Sequence, residues 1–202
     1  NAFKVAAVQM ASGPNVAGNL NEARRLIEKA VAQGIRLIVL PEFFTIMGVS
    51  DAERLAVREQ PGKGVMQEFL AEMARKHRIW VVGGSIPMVA DAQDKVRNTC
   101  LVFDEHGEQV ARYDKIHLFN LDLGNEQYHE AATVEAGNQV VVVDSPFGRI
   151  GLAICYDLRF PELFRRGAAM GAQVFVVIAS WPAVRVDHWL ALLRARAIEN
   201  QA

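Results

Sequence analysis

The stretch GRIGLAICYDLRFPELFRR, residues 148–166, decides the fold and raises the question of what the protein does. Its first half is an apolar run typical of a buried strand, and Pro161 then begins a segment of helical periodicity. Cys155 closes the strand, and Tyr156 and Asp157 follow it directly. Taken alone, such a cysteine is more often a small core residue than a nucleophile. Because it lies at a strand end, a role as a nucleophile remains open.

The composition fits one ordinary globular domain and argues against several classes of protein. The 202 residues are 51% hydrophobic and 22% charged, with a formal net charge of -1. A balanced charge argues against a nucleic-acid partner, and no apolar window is long enough to predict a membrane span. Cys100 and Cys155 are too few for a disulfide framework, and no Cys or His cluster indicates zinc. We therefore expect a reducing, cytoplasmic location.

Signals for strands and helices alternate at both ends of the chain, with two hairpins between them. Apolar runs predict strands, and apolar residues at steps of three and four predict helices. The predicted strands are 3–10, 36–42, 79–85 and 172–180, the helices 19–34, 65–77, 161–171 and 187–201, and the hairpins 97–119 and 140–155. Stacked sheets covered by helices, an α/β layer architecture, follow from this order.

Three reactive side chains lie at predicted strand ends, namely Glu42, Lys115 and Cys155. In layered α/β folds such ends converge on ligand clefts. Together they would form a working set, because a carboxylate can take the thiol proton and an ammonium can favour the thiolate and hold an oxyanion. Separately, Glu42 is more often a solvated loop residue and Lys115 a surface charge, while Cys100 is best interpreted as a core residue.

Three motifs that contain these residues favour a catalytic interpretation over a structural one. They are LPEFF at 40–44, RYDKIHLF at 112–119 and CYDLRFPELFR at 155–165. Their order and spacing resemble the carbon–nitrogen hydrolase, or nitrilase, superfamily. The resemblance covers essentially the whole chain and implies a four-layer αββα sandwich, with residues 1–202 as a single domain. It also implies that Glu42, Lys115 and Cys155 are the catalytic residues. Members of the family normally continue beyond the equivalent of residue 202, so we expect this chain to lack that C-terminal extension.

The resemblance further implies hydrolysis of a non-peptide C–N bond through a cysteine thioester, with no cofactor or metal. Glu42 would be the general base, and the backbone N–H of Tyr156 would join Lys115 in holding the oxyanion. A second family glutamate matches Glu130, with Glu126 as the rival. Cys–His catalysis of the papain type is the alternative for a reactive cysteine, but no local signature supports it. His117 is either a supporting residue near Lys115 or an ordinary histidine.

The residues after the cysteine resemble the branch of ω-amidases and deaminated-glutathione amidases. Arg159 matches an arginine that holds the substrate carboxylate in carbamoylase relatives, although a structural pair with Glu162 or Asp157 is equally open. Trp181 is expected in the pocket wall. The predicted substrate is a small amide that bears a carboxylate. The alternatives are an N-carbamoyl amino acid hydrolase and a truncated, inactive binding protein.

Two segments are predicted to form helices, Pro161–Met170 and Asp187–Asn200. Together they carry more apolar surface than one sheet can cover. Family members commonly pair through these helices, and a two-fold interface needs only one self-complementary patch. We therefore expect a homodimer or a larger even-numbered assembly. The alternative is that both helices simply cover the sheet of one monomer.

Overall fold

The protein is described by a computed structural model over residues 3–122 and 127–202, so Glu126 lies outside the described residues. Within these ranges the chain forms five α-helices and eleven strands. The helices are α1 (Val16–Val31), α2 (Asp51–Ala56), α3 (Val65–His77), α4 (Pro161–Ala169) and α5 (Val186–Asn200). The strands are β1 (Val5–Ala7), β2 (Leu37–Val39), β3 (Trp80–Val82), β4 (Ile86–Val89), β5 (Val96–Phe103), β6 (Gln109–Asp114), β7 (Asn120–Asp122), β8 (Gln127–His129), β9 (Val142–Ser145), β10 (Gly148–Ile154) and β11 (Val174–Ile178).

The larger sheet has six strands in the order β1-β2-β3-β5-β4, with β6 also paired to β5. Strands β1, β2 and β3 are parallel, whereas β5 is antiparallel to β3, β4 and β6. Parallel neighbours need a crossover connection, and here α1 supplies the first while α2 and α3 supply the second. The predicted hairpin 97–119 forms as β5 and β6.

One face of this sheet is covered by α1 and α3. Their apolar stripes, including Ile27 and Leu70, pack against Ile38 and Val81 of the sheet in one continuous buried cluster. Removing each such side chain from water stabilises the fold by roughly 1.5–3 kcal/mol. The side chain of Asn15 caps α1 by accepting from the N–H of Gly18.

The other face packs on a second sheet of order β11-β10-β9, in which β11 is parallel and β9 antiparallel to β10. Val82 and Tyr113 of the first sheet and Leu152 of the second lie in one buried cluster, which extends to Phe164 of α4. The rings of Phe164 and Phe175 are 5.1 Å apart and join α4 to β11. The layers therefore follow the order αββα, and the predicted fold is confirmed.

Several elements differ from the sequence prediction. The strand expected over 79–85 ends at Val82, and a separate strand, β4, follows. Gly84 lies between them with a φ of +55°, and a Cβ there would sit 2.2 Å from the carbonyl oxygen of Pro41. Only glycine fits such a turn, so the strand must break.

Among the described helices, none combines the length and apolar character that crossing a bilayer requires.

Candidate active site

The side chains predicted at strand ends meet at one edge of the sandwich. Glu42 lies in the turn after β2, Lys115 directly follows β6, and Cys155 directly follows β10. All three line a cavity of about 500 Å³. Its other walls come from the remaining predicted residues and from further loops, namely Phe43, Met47, Gly48, Val49, Arg54, Phe119, Glu130, Tyr156, Arg159, Ser180, Trp181, Pro182 and Arg185.

Lys115 lies between two buried carboxylates. Its Nζ is 3.1 Å from Oε1 of Glu42 and 3.0 Å from each carboxylate oxygen of Glu130. Burial alone would lower the pKa of Lys115, but the two carboxylates more than offset it, and the net pKa is raised. The lysine is therefore a fixed cation at neutral pH, and Glu130 is held in turn by the N–H of Phe119.

The carboxylate of Glu42 has donors on both of its oxygens. Oε1 accepts from Nδ2 of Asn98 at 2.9 Å as well as from Lys115, and Oε2 accepts from the backbone N–H of Ser180 at 2.8 Å. Asn98 is fully buried on β5, and Ser180 follows β11. No motif marks either residue, because their role depends on contacts between strands that are distant in sequence.

Cys155 occupies a strained turn at the end of β10. Its φ of +49° is in the left-handed region, which is uncommon for any residue except glycine. Burial raises the pKa of the thiol, the charge of Glu42 raises it further, and Lys115 acts in the opposite direction. The net effect is a raised pKa, so the resting thiol is neutral and needs a base before it can attack.

Residues Cys155–Arg159 form a short 3₁₀ turn, and the N–H of Tyr156 belongs to its first residues. Such N–H groups have no partner inside the helix and are available to a ligand. The ring of Tyr156 also lines the cavity and packs edge-on against Phe119 at 5.1 Å. Lys115, Cys155 and Tyr156 all line this cavity.

Arg159 makes no ion pair among the described residues, so the structural pair with Asp157 or Glu162 does not form. Its guanidinium lies over the ring of Trp181, 5.1 Å from the centroid. The indole of Trp181 is fixed by its own donation to the carbonyl of Arg185. Arg54 and Arg185 line the same cavity, and neither was predicted as a site residue.

A larger neighbouring cavity of about 780 Å³ shares Glu42 and Trp181 but does not reach Lys115 or Cys155. The chemistry described here belongs to the smaller cavity. Within residues 3–122 and 127–202, no group of three or more Cys, His, Asp or Glu side chains is placed to hold a metal ion.

Residues 4–202 match the family model described as carbon–nitrogen hydrolase. The chain belongs to the carbon–nitrogen hydrolase family. The predicted family and the predicted enzyme class, a hydrolase of carbon–nitrogen bonds, are confirmed.

Curated relatives point to one branch of this family. A deaminated glutathione amidase from Yersinia enterocolitica is 40% identical over 201 residues, which cover 98% of this chain and 70% of the relative. The omega-amidase NIT3 of Saccharomyces cerevisiae is 36% identical over 208 residues, covering 98% and 71%. The branch that the residues after Cys155 resemble is thus the branch of these relatives.

Solved structures agree with the fold. The crystal structure of Saccharomyces cerevisiae Nit3, described as a member of branch 10 of the nitrilase superfamily, superposes with a TM-score of 0.87 at 33% identity, covering 99% of this chain and 73% of that one. An amidase from Nesterenkonia sp. superposes with a TM-score of 0.80 at 27% identity, covering 99% and 76%. That structure records acrylamide added at the active site cysteine of the Nesterenkonia protein.

Proposed function

We propose that this chain hydrolyses a small, linear, carboxylate-bearing amide to the acid and ammonia through a thioester on Cys155. One observation supports this above all. The carboxylate of Glu42 lines the same cavity as the Cys155 thiol, its charge raises the pKa of that thiol, and it is oriented by Lys115 and the N–H of Ser180. A base, a cation and a nucleophile therefore share one cavity, and together they supply the chemistry of acyl transfer.

In the first half-reaction Glu42 takes the thiol proton, and Sγ of Cys155 bonds to the amide carbon. The carbonyl electrons move to oxygen, where Lys115 Nζ and the N–H of Tyr156 hold the charge. The oxyanion then collapses, the C–N bond breaks, and Glu42 gives its proton to the leaving nitrogen. Oxyanion donors of this kind each contribute roughly 10²–10³ in rate.

In the second half-reaction a water molecule takes the place of ammonia. Glu42 takes a proton from this water as its oxygen adds to the thioester carbon, and the same two donors hold the new oxyanion. Collapse breaks the C–S bond, releases the carboxylic acid and returns the proton to Sγ of Cys155. Glu130 takes no proton in this cycle, because its role is to hold Lys115 through the two 3.0 Å contacts.

The proposed substrate class rests on the charge of the cavity wall. Arg159 is fixed by stacking on Trp181 yet has no carboxylate partner among the described residues. A guanidinium of this kind suits a substrate carboxylate bidentately. The relatives named deaminated glutathione amidase and omega-amidase support an amide with a carboxylate at some distance from the reacting carbon.

The decisive experiment measures ammonia release from a panel of ω-amides of dicarboxylic and 2-oxo acids and from N-carbamoyl amino acids. We expect turnover of the ω-amides, and Cys155→Ala to abolish it. Turnover of the carbamoyl compounds alone, with release of carbon dioxide, would establish the carbamoylase alternative. Tight binding of an amide without turnover would instead support a binding protein.

We also infer that residues 1–202 form one domain and that the protein pairs through α4 and α5. The family match over 4–202 supports the first inference. For the second, α5 is anchored by the buried Arg196, whose Nε donates to the carbonyl of Leu158, while Leu190 and Ile198 stay exposed. Two such faces can cover each other in a homodimer.

A cytoplasmic location is proposed on the two free cysteines, Cys100 and Cys155, which suit a reducing compartment. Cell fractionation with an antibody to the chain tests it. Recovery in an oxidising or extracellular fraction would contradict the proposal.

A further inference from the structure

Asp157 lies two residues after Cys155, is fully buried and does not line the cavity. Its Oδ2 accepts from the hydroxyl of Tyr113 at 2.6 Å and from the backbone N–H of Ile154 at 2.9 Å. Its Oδ1 accepts from the backbone N–H of His117 at 2.9 Å, and Nδ1 of the same histidine lies 2.7 Å away. One carboxylate thus receives four hydrogen bonds, and because an ionised carboxylate can only accept, Nδ1 carries the hydrogen.

These four donors come from the two segments that present the lysine and the cysteine. Tyr113 and His117 stand two residues before and two residues after Lys115 in the chain. Ile154 immediately precedes Cys155, whose left-handed backbone conformation has to be held by its surroundings. The imidazole of His117 is fixed as well, since it stacks on Phe160 at 3.7 Å.

We propose that Asp157 is a positioning residue that fixes the Cys155 turn to the Lys115 segment. Through it the cation and the nucleophile keep their relative placement, although they come from different sheets. Asp157 touches neither the reacting atoms nor the cavity, so it acts through Cys155 and Lys115. This inference rests on the proposed function, in which Cys155 is the nucleophile.

The test compares Asp157→Asn with Asp114→Asn. Asp114 is a matched control because it is also an aspartate beside Lys115, but its carboxylate accepts from Thr99 and Arg112 instead. An amide at position 157 offers one acceptor oxygen and turns an NH₂ group towards the remaining donors. Two readouts are taken: kcat and KM for the best amide, and the rate at which iodoacetamide alkylates Cys155 in folded protein.

We expect Asp157→Asn to lower kcat by about 10²-fold, since small misplacement of reacting groups has effects of that size, and to leave KM within about twofold. The alkylation rate should also change, whereas Asp114→Asn should match the wild type in both readouts. A general loss of stability would not change kcat per folded molecule. Wild-type kcat in folded Asp157→Asn, or an equal loss in Asp114→Asn, would overturn the proposal.

Tyr113→Phe covers the case in which Asp157→Asn does not fold. It removes one donor and keeps three, so we expect a smaller loss, again in kcat and not in KM. Full kcat in this variant would contradict the positioning role.

Cys155→Ala separates the positioning role from the proposed function. If Cys155→Ala still hydrolyses the amide, the proposed function fails. If Cys155→Ala is inactive and Asp157→Asn is unaffected, only the positioning role is refuted.

Discussion

The backbone N–H of Ser180 donates to Oε2 of Glu42 at 2.8 Å, although 138 residues separate them in sequence. The bond joins the loop after β2 in the first sheet to the loop after β11 in the second. Because Asn98 and Lys115 bind the other oxygen, the carboxylate is fixed from both sides. A general base must stay within reach of its proton, and this cross-sheet bond keeps Glu42 there.

The first prediction separates the two cysteines. Cys155→Ala should abolish amide hydrolysis, and Cys100→Ala should leave kcat/KM nearly unchanged. Cys100 is fully buried in the sheet interface, and burial raises its pKa to about 12, so its thiol is inert. Steady-state ammonia release checks both variants after circular dichroism has shown that they fold. Equal loss in the two would mean that the nucleophile is wrongly assigned.

The second prediction concerns pH. Because Glu42 raises the pKa of the Cys155 thiol, Glu42→Gln should lower that pKa and shift the alkylation profile towards lower pH. The same variant should lose about 10²–10⁴ in kcat/KM, since no base remains to take the thiol proton. Thiol reactivity and hydrolysis would thus change in opposite directions. Exposed Glu68→Gln serves as the control, and an alkylation profile that moves to higher pH would contradict the assignment.

The third prediction concerns stability. Lys115→Met leaves Glu42 and Glu130 as two buried carboxylates without their cation, and we expect a loss of about 3–5 kcal/mol in the free energy of unfolding. Adding Glu130→Gln should recover part of that loss without restoring activity. Urea denaturation measures both effects. Lys76→Met, which removes an exposed pair with Glu28, should cost under about 1 kcal/mol.

The fourth prediction concerns the substrate carboxylate. Arg159→Ala should raise KM for a carboxylate-bearing amide by about 10–100-fold, because a charge-assisted hydrogen bond contributes roughly 1.5–3 kcal/mol. Turnover of a neutral amide of similar size should change little. The exposed Arg25, which pairs with Glu22 on α1, provides the control variant Arg25→Ala. If both amides lose equally, Arg159 supports the pocket wall and does not bind the carboxylate.

The fifth prediction concerns assembly. Ile198 is 77% exposed and Met170 is 41% exposed, so a charge at either position should not disturb the monomer. We expect light scattering at micromolar concentration to give at least a dimer mass for the wild type and a monomer mass for Ile198→Glu. Val184→Glu, also at an exposed apolar position but outside α5, should keep the wild-type mass. A wild-type monomer would rule out the interface for this chain.

Much of the fold could be predicted because its signals are local. The periodicity over 65–77 coincides with α3, and the glycine-containing turns of both hairpins lie where expected. Short elements were missed: α2 has six residues, although Ser50 and Glu53 form a capping box that the sequence displays. Strand β4 was missed because Pro87 lies inside it.

The candidate site likewise has residues that local motifs predict and others that only tertiary contacts reveal. Glu42, Lys115 and Cys155 could be placed because each lies in a recognisable motif at a strand end. Asn98 was missed, since its contact with Glu42 spans 56 residues and needs both strands in place. The left-handed conformation of Cys155 is likewise a tertiary feature, because no local pattern demands φ of +49° from a cysteine.

The close approach of Gly84 to the carbonyl of Pro41 has an evolutionary consequence. Any side chain at position 84 would push away the turn that carries Glu42, since a Cβ there has only 2.2 Å of space. Selection on hydrolysis therefore acts on a residue that has no functional group. Across descendants of this gene, position 84 should vary as little as Glu42 itself, because any side chain there would displace the base from the cavity.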